Sequence, residues 1–428
     1  MKKALVLAGG GTRGIYQAGA IEALREVNMD DWNLVVGTSV GALHAVMLVQ
    51  HDFPNMIHMY ENIAPNQFIN GYVPNDFSLG TIISERESFV PSLQYWFENK
   101  GVDISPFYEM VDRYYNEERF FSSDIDFGCI AATASGHKPV YVTKEMMREK
   151  GKDWLVATAS AYPAFPMKNI DGTDYVDGGY FDNLPVDYAL RRGAEQIIAI
   201  DMGEIPLHPL YLNKDNILYI HPHEELFNFL DFDHGKMEYA RRLGYNDTKK
   251  LLGIYEGERY TFRPFKTGPW FDRWMNELMM LETRIKLAGN LNGNLRSEHS
   301  VTDKLKTQMK IDEIRPKQYL YGMMDVLMDM IGLDASEVYS FTNARNRIIR
   351  EFAECIETDY PHLDEFDFKN IAAFTKNMDR KGIVGKLIHT NFYPDHRFVS
   401  ENMVLTLVPF EQSLADFVTV LMKSLMEE

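Results

Sequence analysis

A serine lies at the centre of the most informative chemical pattern in this chain. Gly37-Thr38-Ser39-Val40-Gly41 reads G-x-S-x-G and joins the strand-like run "NLVV" to the apolar helical run "VGALHAVMLVQ". A serine on a sharp strand-to-helix turn projects its hydroxyl from the sheet, and small neighbours let the strand and the helix approach closely. The N-terminus of the following helix adds partial positive charge where an oxyanion would develop. The pattern therefore predicts nucleophilic acyl transfer by Ser39, supported by Gly37 and Gly41.

A glycine-rich loop near the N-terminus is the second chemical element. Residues 5–19 read "LVLAGGGTRGIYQAG", so Gly9, Gly11 and Gly14 also fit G-x-G-x-x-G, the loop that cradles a dinucleotide pyrophosphate. A dinucleotide site needs an acidic residue at the end of the second strand, and that position is occupied by the serine motif instead. The sequence therefore disfavours a cofactor, although the loop amides still form an anion cradle at a helix N-terminus. Because consecutive parallel strands tend to be neighbours, we expect this cradle beside Ser39.

A serine nucleophile needs a base, and Asp177 is one candidate. It ends a strand-like run in "YVDGGYFDNLPV", where two glycines could bring the carboxylate close to a hydroxyl. Such an aspartate is also an ordinary turn residue, and an unperturbed carboxylate is a poor base at neutral pH. Among the twelve histidines, His221 and His223 in "YIHPHEE" have the best context, although they also read as polar residues at a strand end. As a metal-binding pair they have no convincing third ligand, so no metal is expected.

Taken in order, "GGGTRG", "GTSVG" and "DGGYFDNLP" resemble the motifs of patatin-like phospholipases. The resemblance covers roughly residues 3–225 and implies a serine lipid acyl hydrolase with a Ser-Asp dyad, no catalytic histidine and no cofactor. It implies Ser39 as the nucleophile and Asp177 as its proton acceptor. The oxyanion hole would consist of backbone amides from three residues: Gly9, Gly10 and Gly11. Of these, Gly10 and Gly11 are expected to be the direct donors.

The resemblance also implies roles for residues around these motifs. Six of them are expected to support the loop and the turns: Arg13, Gly14, Gly37, Gly41, Gly178 and Gly179. Asn183 and Pro185 are expected to fix the turn after the aspartate, and His44 is interpreted as a packing variation where many relatives have asparagine. Two alternatives stay open: a weakly active or non-catalytic lipid-binding or interaction protein and, less favoured, a dinucleotide-binding oxidoreductase.

The bulk composition narrows the classes of partner. The chain of 428 residues has 44 Lys plus Arg against 62 Asp plus Glu, a formal net charge of −18. That balance argues against nucleic acid and against steady adhesion to an anionic membrane surface. It is compatible with a lipid or acyl-ester substrate and transient membrane contact, and homo-oligomerisation stays open. Two distant cysteines and the lack of a long apolar run predict a cytoplasmic protein without a membrane-spanning helix.

The elements that must position these residues alternate between strand and helix in the first half of the chain. Runs such as "KALVLA" and "QIIAID" are typical of parallel strands that are covered on both faces. We therefore expect a three-layer α/β/α sandwich around a mainly parallel sheet. Residues 51–120 have no clean strand pattern, so they are interpreted as a helical insertion and a candidate lid.

A domain boundary is predicted near the sequence "FRPFKTGPW", where Pro and Gly interrupt the pattern. Beyond it, long Met- and Leu-rich stretches have the periodicity of amphipathic helices. The expected domains are a catalytic domain over residues 1–264 and an all-helical domain over residues 265–428. Methionines at helical spacing usually form a core, and a lipid-facing or dimer-forming surface is the alternative.

Overall fold

The computed structural model describes residues 1–70, 103–162, 164–291, 300–358, 379–396 and 401–425. The chain divides into two compact units, Met1–Leu252 and Gly253–Glu428. The second unit therefore begins before the domain boundary expected at residue 264. Much of the expected insertion over residues 51–120 lies outside the described residues, so the interpretation as a lid stays a prediction.

The described residues of the first unit form one sheet of eight strands. The strands are β1 (Lys3–Leu7), β2 (Leu34–Thr38), β3 (Asp126–Thr133), β4 (Pro139–Thr143), β5 (Lys168–Ile170), β6 (Thr173–Asp177), β7 (Gln196–Ile200) and β8 (Ile217–Ile220). Their order is β5-β6-β3-β2-β1-β7-β8, with β4 also paired to β3. The five strands β3, β2, β1, β7 and β8 run parallel, whereas β4, β5 and β6 pair antiparallel. The mainly parallel sheet that the sequence predicts is confirmed.

Helices flank this sheet and complete the α/β/α arrangement. They are α1 (Ile15–Glu26), α2 (Val40–Val49), α3 (Phe53–Glu61), α4 (Ser105–Tyr114), α5 (Glu117–Ser122), α6 (Met147–Thr158), α7 (Val186–Arg191) and α8 (His234–Leu251). Every residue of β2 is buried, as expected for a strand covered on both faces. Because β1 and β2 are adjacent and parallel, their carboxyl ends place the glycine loop beside the serine turn.

The second unit is mostly helical. Its helices are α9 (Pro269–Leu291), α10 (Val301–Met309), α11 (Pro316–Met330), α12 (Phe341–Glu357), α13 (Arg380–Phe392), α14 (Glu401–Leu407) and α15 (Pro409–Leu425). The expectation of an all-helical domain misses one parallel pair of two-residue strands, β9 (Thr261–Phe262) and β10 (Val338–Tyr339). Strands this short show no periodicity in a sequence. Met323, Met324 and Met328 are fully buried, so these methionines form core. Among the residues described, no helix is both long and apolar enough to cross a membrane.

Candidate active site

Ser39 occupies a strained turn between β2 and α2. Its backbone angles are φ 54° and ψ −125°, an unfavourable region for a residue with a β-carbon. The strand and the helix approach so closely that a β-carbon added at Gly37 would lie 2.2 Å from the backbone of Gly41. The Ser39 amide donates to the Thr158 hydroxyl at 3.1 Å, which anchors the turn. Ser39 is the N-cap residue of α2, yet its hydroxyl does not cap the helix and is available to another partner.

The sheet register brings Asp177 to the level of Ser39. On β3, Ile130 pairs with Thr38, and the next residue of β3 pairs with Asp177. The chain then passes directly against β3, because a β-carbon at Gly178 would lie 2.0 Å from the Ile130 carbonyl oxygen. Only glycine permits this close approach, which explains physically why a glycine follows the aspartate.

The Asp177 carboxylate is buried, with 7% of the residue exposed. Burial raises its pKa to about 6, while hydrogen bonds from the Gly179 amide and the Ser39 hydroxyl act in the opposite direction. The bond from the Gly179 amide is 2.7 Å long. A pKa close to the working pH makes a carboxylate a better proton acceptor than an exposed aspartate. Burial thus removes the chemical objection to Asp177 as a base.

The glycine loop leads from β1 through a 3₁₀ turn into α1. The Gly9 amide donates to the Asn183 carbonyl at 3.0 Å and is therefore occupied. Within the described parts of the chain, the amides of Gly10 and Gly11 donate to no protein acceptor. Gly11 has φ 59°, and a β-carbon there would lie 1.9 Å from the Phe229 carbonyl oxygen. The amides of Gly10 and Gly11, which the sequence analysis expects to be the direct donors, are consequently available to an anion, and the Gly9 amide is not.

Asn183 joins the glycine loop to the turn that carries the D-G-G motif. Its side-chain amide donates to the Gly9 carbonyl at 2.9 Å, so both backbone groups of Gly9 are bound to this one residue. The Thr38 hydroxyl donates to the Asp182 carbonyl at 3.0 Å and holds the same turn against β2. The sequence predicts that Asn183 fixes its own turn, and the structure places it on the glycine loop as well.

Arg13 lies against the same loop. Its backbone amide and its Nε atom each donate to the Gly10 carbonyl at 3.3 Å. Burial lowers the pKa of its guanidinium, and the nearby carboxylates of Asp201 and Glu225 oppose that shift. Arg13 also lines the cavity onto which Ser39 opens, which places a positive charge near the loop.

His44 is buried behind the site in a hydrogen-bonded network. Its ring nitrogens lie 2.8 Å from the Gln17 side-chain oxygen and 2.8 Å from the Tyr60 hydroxyl. Burial lowers the pKa of His44 to about 3, so the ring is neutral. Gly14 provides the necessary space, because a β-carbon there would lie 2.3 Å from the Tyr60 hydroxyl. His44 therefore packs in the interior as expected, and its hydrogen bond also positions Tyr60, which lines the cavity.

The two histidines that the sequence favoured as alternatives lie elsewhere. His223 Nδ1 is 3.3 Å from Asp247 Oδ1, and the ring of His221 stacks on that of His223. Neither of them lines the cavity that contains Ser39. In the part of the chain that the structure covers, no group of three His, Cys, Asp or Glu side chains could hold a metal ion.

Ser39 and Asp177 open onto a cavity of about 210 Å³. The walls are predominantly apolar and include Leu43, Met59, Ile63, Phe107, Met110 and Phe165. The polar groups converge where the serine turn, the aspartate and the glycine loop meet. An apolar cavity with a few convergent polar groups is typical of a site for a largely apolar ligand. The sequence contained no signal for the Thr158 contact, because its partner lies far away along the chain.

Comparisons with known proteins find sequences similar to part of this chain. Residues 5–190 match the family model of patatin-like phospholipases. Lysophospholipase NTE1 of Debaryomyces hansenii is 27% identical over 208 residues, which cover 47% of this chain and 12% of that protein. The protein YjjU of Escherichia coli is 29% identical over 210 residues, which cover 46% of this chain and 51% of that protein. The chain thus matches about half the length of YjjU and about an eighth of NTE1.

Among solved structures, VipD from Legionella pneumophila is similar, with a TM-score of 0.39 and 16% sequence identity. That alignment covers 100% of this chain and 91% of VipD. Residues 5–190 of this chain are therefore similar to the patatin-like phospholipase family.

Proposed function

We propose that the first unit is a serine lipid acyl hydrolase of the phospholipase A or lysophospholipase type. One observation carries the proposal: Ser39 and the buried Asp177 open onto one apolar cavity, beside two loop amides that have no protein acceptor among the described residues. Each group corresponds to one requirement of ester cleavage, namely a nucleophile, a base, an anion cradle and a place for an acyl chain.

In the first step, the Ser39 oxygen attacks the ester carbonyl carbon while its proton passes to the Asp177 carboxylate. The carbonyl oxygen becomes an oxyanion, which the Gly10 and Gly11 amides stabilise. Collapse of this intermediate breaks the bond to the alcohol, and the alkoxide takes the proton back from Asp177. The product is an acyl-enzyme on Ser39 and a free alcohol.

In the second step, water attacks the acyl-enzyme and Asp177 accepts its proton. The oxyanion forms again at the same two amides, and the bond to Ser39 then breaks. The serine oxygen recovers its proton from Asp177, and the fatty acid leaves. Loss of one oxyanion donor in such a site costs roughly 3 kcal/mol of transition-state stabilisation, so the integrity of the glycine loop matters as much as the dyad.

The substrate class follows from the cavity and from the relatives. Apolar walls next to the dyad suit a fatty acyl chain. Several relatives are named lysophospholipases. We therefore propose lysophospholipids as the first natural substrates to test, followed by diacyl phospholipids and neutral lipid esters.

The test combines a soluble ester with an active-site probe. The wild-type chain should hydrolyse p-nitrophenyl butyrate and be labelled by a fluorophosphonate on Ser39, as located by peptide mass spectrometry. Ser39→Ala should lose labelling and at least about 10⁴-fold in kcat. Labelling at another residue, or unchanged turnover by Ser39→Ala, would remove Ser39 from the mechanism.

The controls separate this mechanism from the alternatives. The double variant His221→Asn/His223→Asn should keep wild-type turnover, and its inactivity would instead support a histidine triad. A wild-type protein that binds a fluorescent fatty acid but is never labelled would support the lipid-binding alternative. Titration with NAD under the same conditions tests the oxidoreductase alternative by fluorescence quenching.

A further inference from the structure

Large apolar side chains are exposed on the loop that follows β7. They are Ile205, Leu207, Leu210 and Leu212, with 75%, 45%, 84% and 38% of each residue exposed. Single exposed apolar residues are normal on protein surfaces, but four within eight positions of one loop are a patch. The loop leaves the carboxyl end of a parallel strand, the same edge of the sheet at which the serine turn and the glycine loop lie.

A second exposed apolar group follows the D-G-G motif. Tyr180 and Phe181 are 50% and 47% exposed, and the Tyr180 hydroxyl donates to the carbonyl of Tyr162, itself 39% exposed. The residue before Tyr162 lines the cavity. Phe229 also lines the cavity and is 38% exposed. Apolar surface therefore extends from the cavity wall to the outside of the unit.

The loop after β7 is fastened to the turn that carries the second group. His208 Nε2 lies 3.0 Å from the Leu184 carbonyl and 3.3 Å from an Asp182 carboxylate oxygen. The Tyr211 hydroxyl donates to the Asp187 carboxylate. These contacts place the exposed side chains of the loop next to the segment that follows the D-G-G motif.

A buried carboxylate holds the loop in shape. Asp201 is 1% exposed, and its side chain accepts hydrogen bonds from the backbone amides of Met202, Gly203 and Leu207 at 2.7, 3.2 and 2.8 Å. The Tyr219 hydroxyl donates to the same carboxylate at 2.6 Å. A loop fixed in this way cannot easily turn its apolar side chains inward, so their exposure is a property of the folded unit.

We propose that these side chains form a docking surface for a lipid aggregate, from which substrate enters the cavity. We define this surface, the apolar rim, as Tyr162, Tyr180, Phe181, Ile205, Leu207 and Leu210. The inference rests on the proposed function, because a hydrolase of aggregated lipids needs apolar surface that is continuous with its acyl site. Aromatic and aliphatic side chains at a membrane surface contribute favourable binding free energy when they are buried among the acyl chains.

Charge specifies the kind of lipid surface. The segments that carry the apolar rim also carry the carboxylates of Asp182 and Asp187, and the whole chain has a net charge of −18. An anionic surface would repel these charges, whereas a zwitterionic one would not. The expected partner is therefore a zwitterionic lipid surface such as phosphatidylcholine.

The experiment measures sedimentation of the full chain with phosphatidylcholine vesicles, in a Ser39→Ala background so that no lipid is consumed. Ile205→Asp/Leu210→Asp should weaken vesicle binding at least about tenfold, because two apolar anchors become charged. The matched control, Met280→Asp/Leu287→Asp, changes two side chains of the second unit that are 68% and 58% exposed. This control should bind within about twofold of the parent.

Three results would overturn the inference: a parent that does not bind the vesicles, a rim variant that binds like the parent, or a control that weakens binding equally. Parent binding that increases when phosphatidylglycerol replaces part of the phosphatidylcholine would contradict the proposed zwitterionic partner. With Ser39 restored, the rim variant should hydrolyse p-nitrophenyl butyrate at the wild-type rate, which shows that it is folded. A wild type that hydrolyses no ester but still binds vesicles through the apolar rim would refute the proposed hydrolase function and would support the docking surface.

Discussion

Each compact unit contains an aspartate whose pKa is raised to about 6 by desolvation: the buried Asp177 in the first unit and the half-buried Asp416 in the second. Asp177 accepts a hydrogen bond from the Gly179 amide at 2.7 Å, and the Ser39 hydroxyl on its strained turn acts to lower the pKa of the same carboxyl group. Asp416 accepts hydrogen bonds from the side-chain amides of Gln412 and Asn391 at 2.6 and 2.9 Å. The two carboxylates therefore have the same altered acidity and entirely different neighbours.

The difference shows that a raised pKa records burial and does not by itself indicate catalysis. Structural carboxylates are perturbed by the same physical terms as catalytic ones. Asp416 lines a polar cavity, yet no serine or cysteine lines that cavity with it among the residues described. Asp177 differs because the sheet register brings the turn of Ser39 to it and because, in the described parts of the chain, two amides of the nearby glycine loop have no protein acceptor.

The largest expected effect is on kcat, measured in two variants that each replace one of these aspartates with asparagine. Asp177→Asn keeps the shape of the side chain but cannot take a proton, so kcat for p-nitrophenyl butyrate should fall at least about 10³-fold. Asp416→Asn should change kcat by less than about twofold, since that carboxylate has no reacting group beside it. Equal losses of kcat in both variants would mean that the substitutions act through the stability of the protein and not through proton transfer at Asp177.

The second effect is on stability and should be shared by both variants. In the folded protein each carboxyl group has a pKa of about 6, above the ordinary aspartate value of 3.8, so its ionised form is disfavoured on folding. Stability should therefore decrease as the pH rises from about 4 to 6. At pH 7.5, Asp177→Asn and Asp416→Asn should each raise the free energy of unfolding by about 1–3 kcal/mol. Urea unfolding at pH 7.5 and at pH 4 measures this, and a gain that persists at pH 4 would contradict the titration.

The third test removes the link between the aspartate turn and the glycine loop. Asn183→Asp replaces the donor to the Gly9 carbonyl with an oxygen, so the oxyanion amides lose their support. We expect kcat to fall roughly 10–100-fold with little change in KM. Asn391→Asp is the matched control beside Asp416 and should leave kcat unchanged. A change confined to KM would mean that Asn183 acts on substrate binding and not on the loop.

The pH dependence of turnover provides the fourth test. If Asp177 is the base, kcat/KM should decrease about tenfold per pH unit below pH 6, because protonation removes the acceptor. Asp416→Asn should leave this profile in place. A profile that is flat between pH 5 and 7 would exclude a carboxylate of this pKa as the base.

The smallest effect on kcat is expected at Thr158, whose hydroxyl oxygen accepts a hydrogen bond from the Ser39 amide. Thr158→Val keeps the volume and removes the hydroxyl, so kcat should fall several-fold, corresponding to about 1 kcal/mol. Thr158→Ser keeps the hydroxyl and should restore most of the activity. Equal turnover of the valine and serine variants would show that the hydroxyl does not position the nucleophile.

Much of the fold could be predicted because it depends on local patterns. Apolar runs next to helical periodicity indicate parallel strands covered by helices, and the sheet confirms them. The two-residue strands β9 and β10 have no such pattern and were missed. The relation of Asp177 to Ser39 was expected only from the order of the motifs, since no local signal reports which strands become neighbours.

The sequence by itself determined the reactive residue types and the turns that present them, because turn and strand chemistry is local. The tertiary structure decided which of those groups are chemically available. It occupied the Gly9 amide with the Asn183 carbonyl and, as far as the chain is described, left the amides of Gly10 and Gly11 without a protein acceptor. Burial of Asp177 in the folded chain also raises its pKa to about 6. Both outcomes depend on contacts between residues far apart in the chain and on the exclusion of water, which only the folded chain provides.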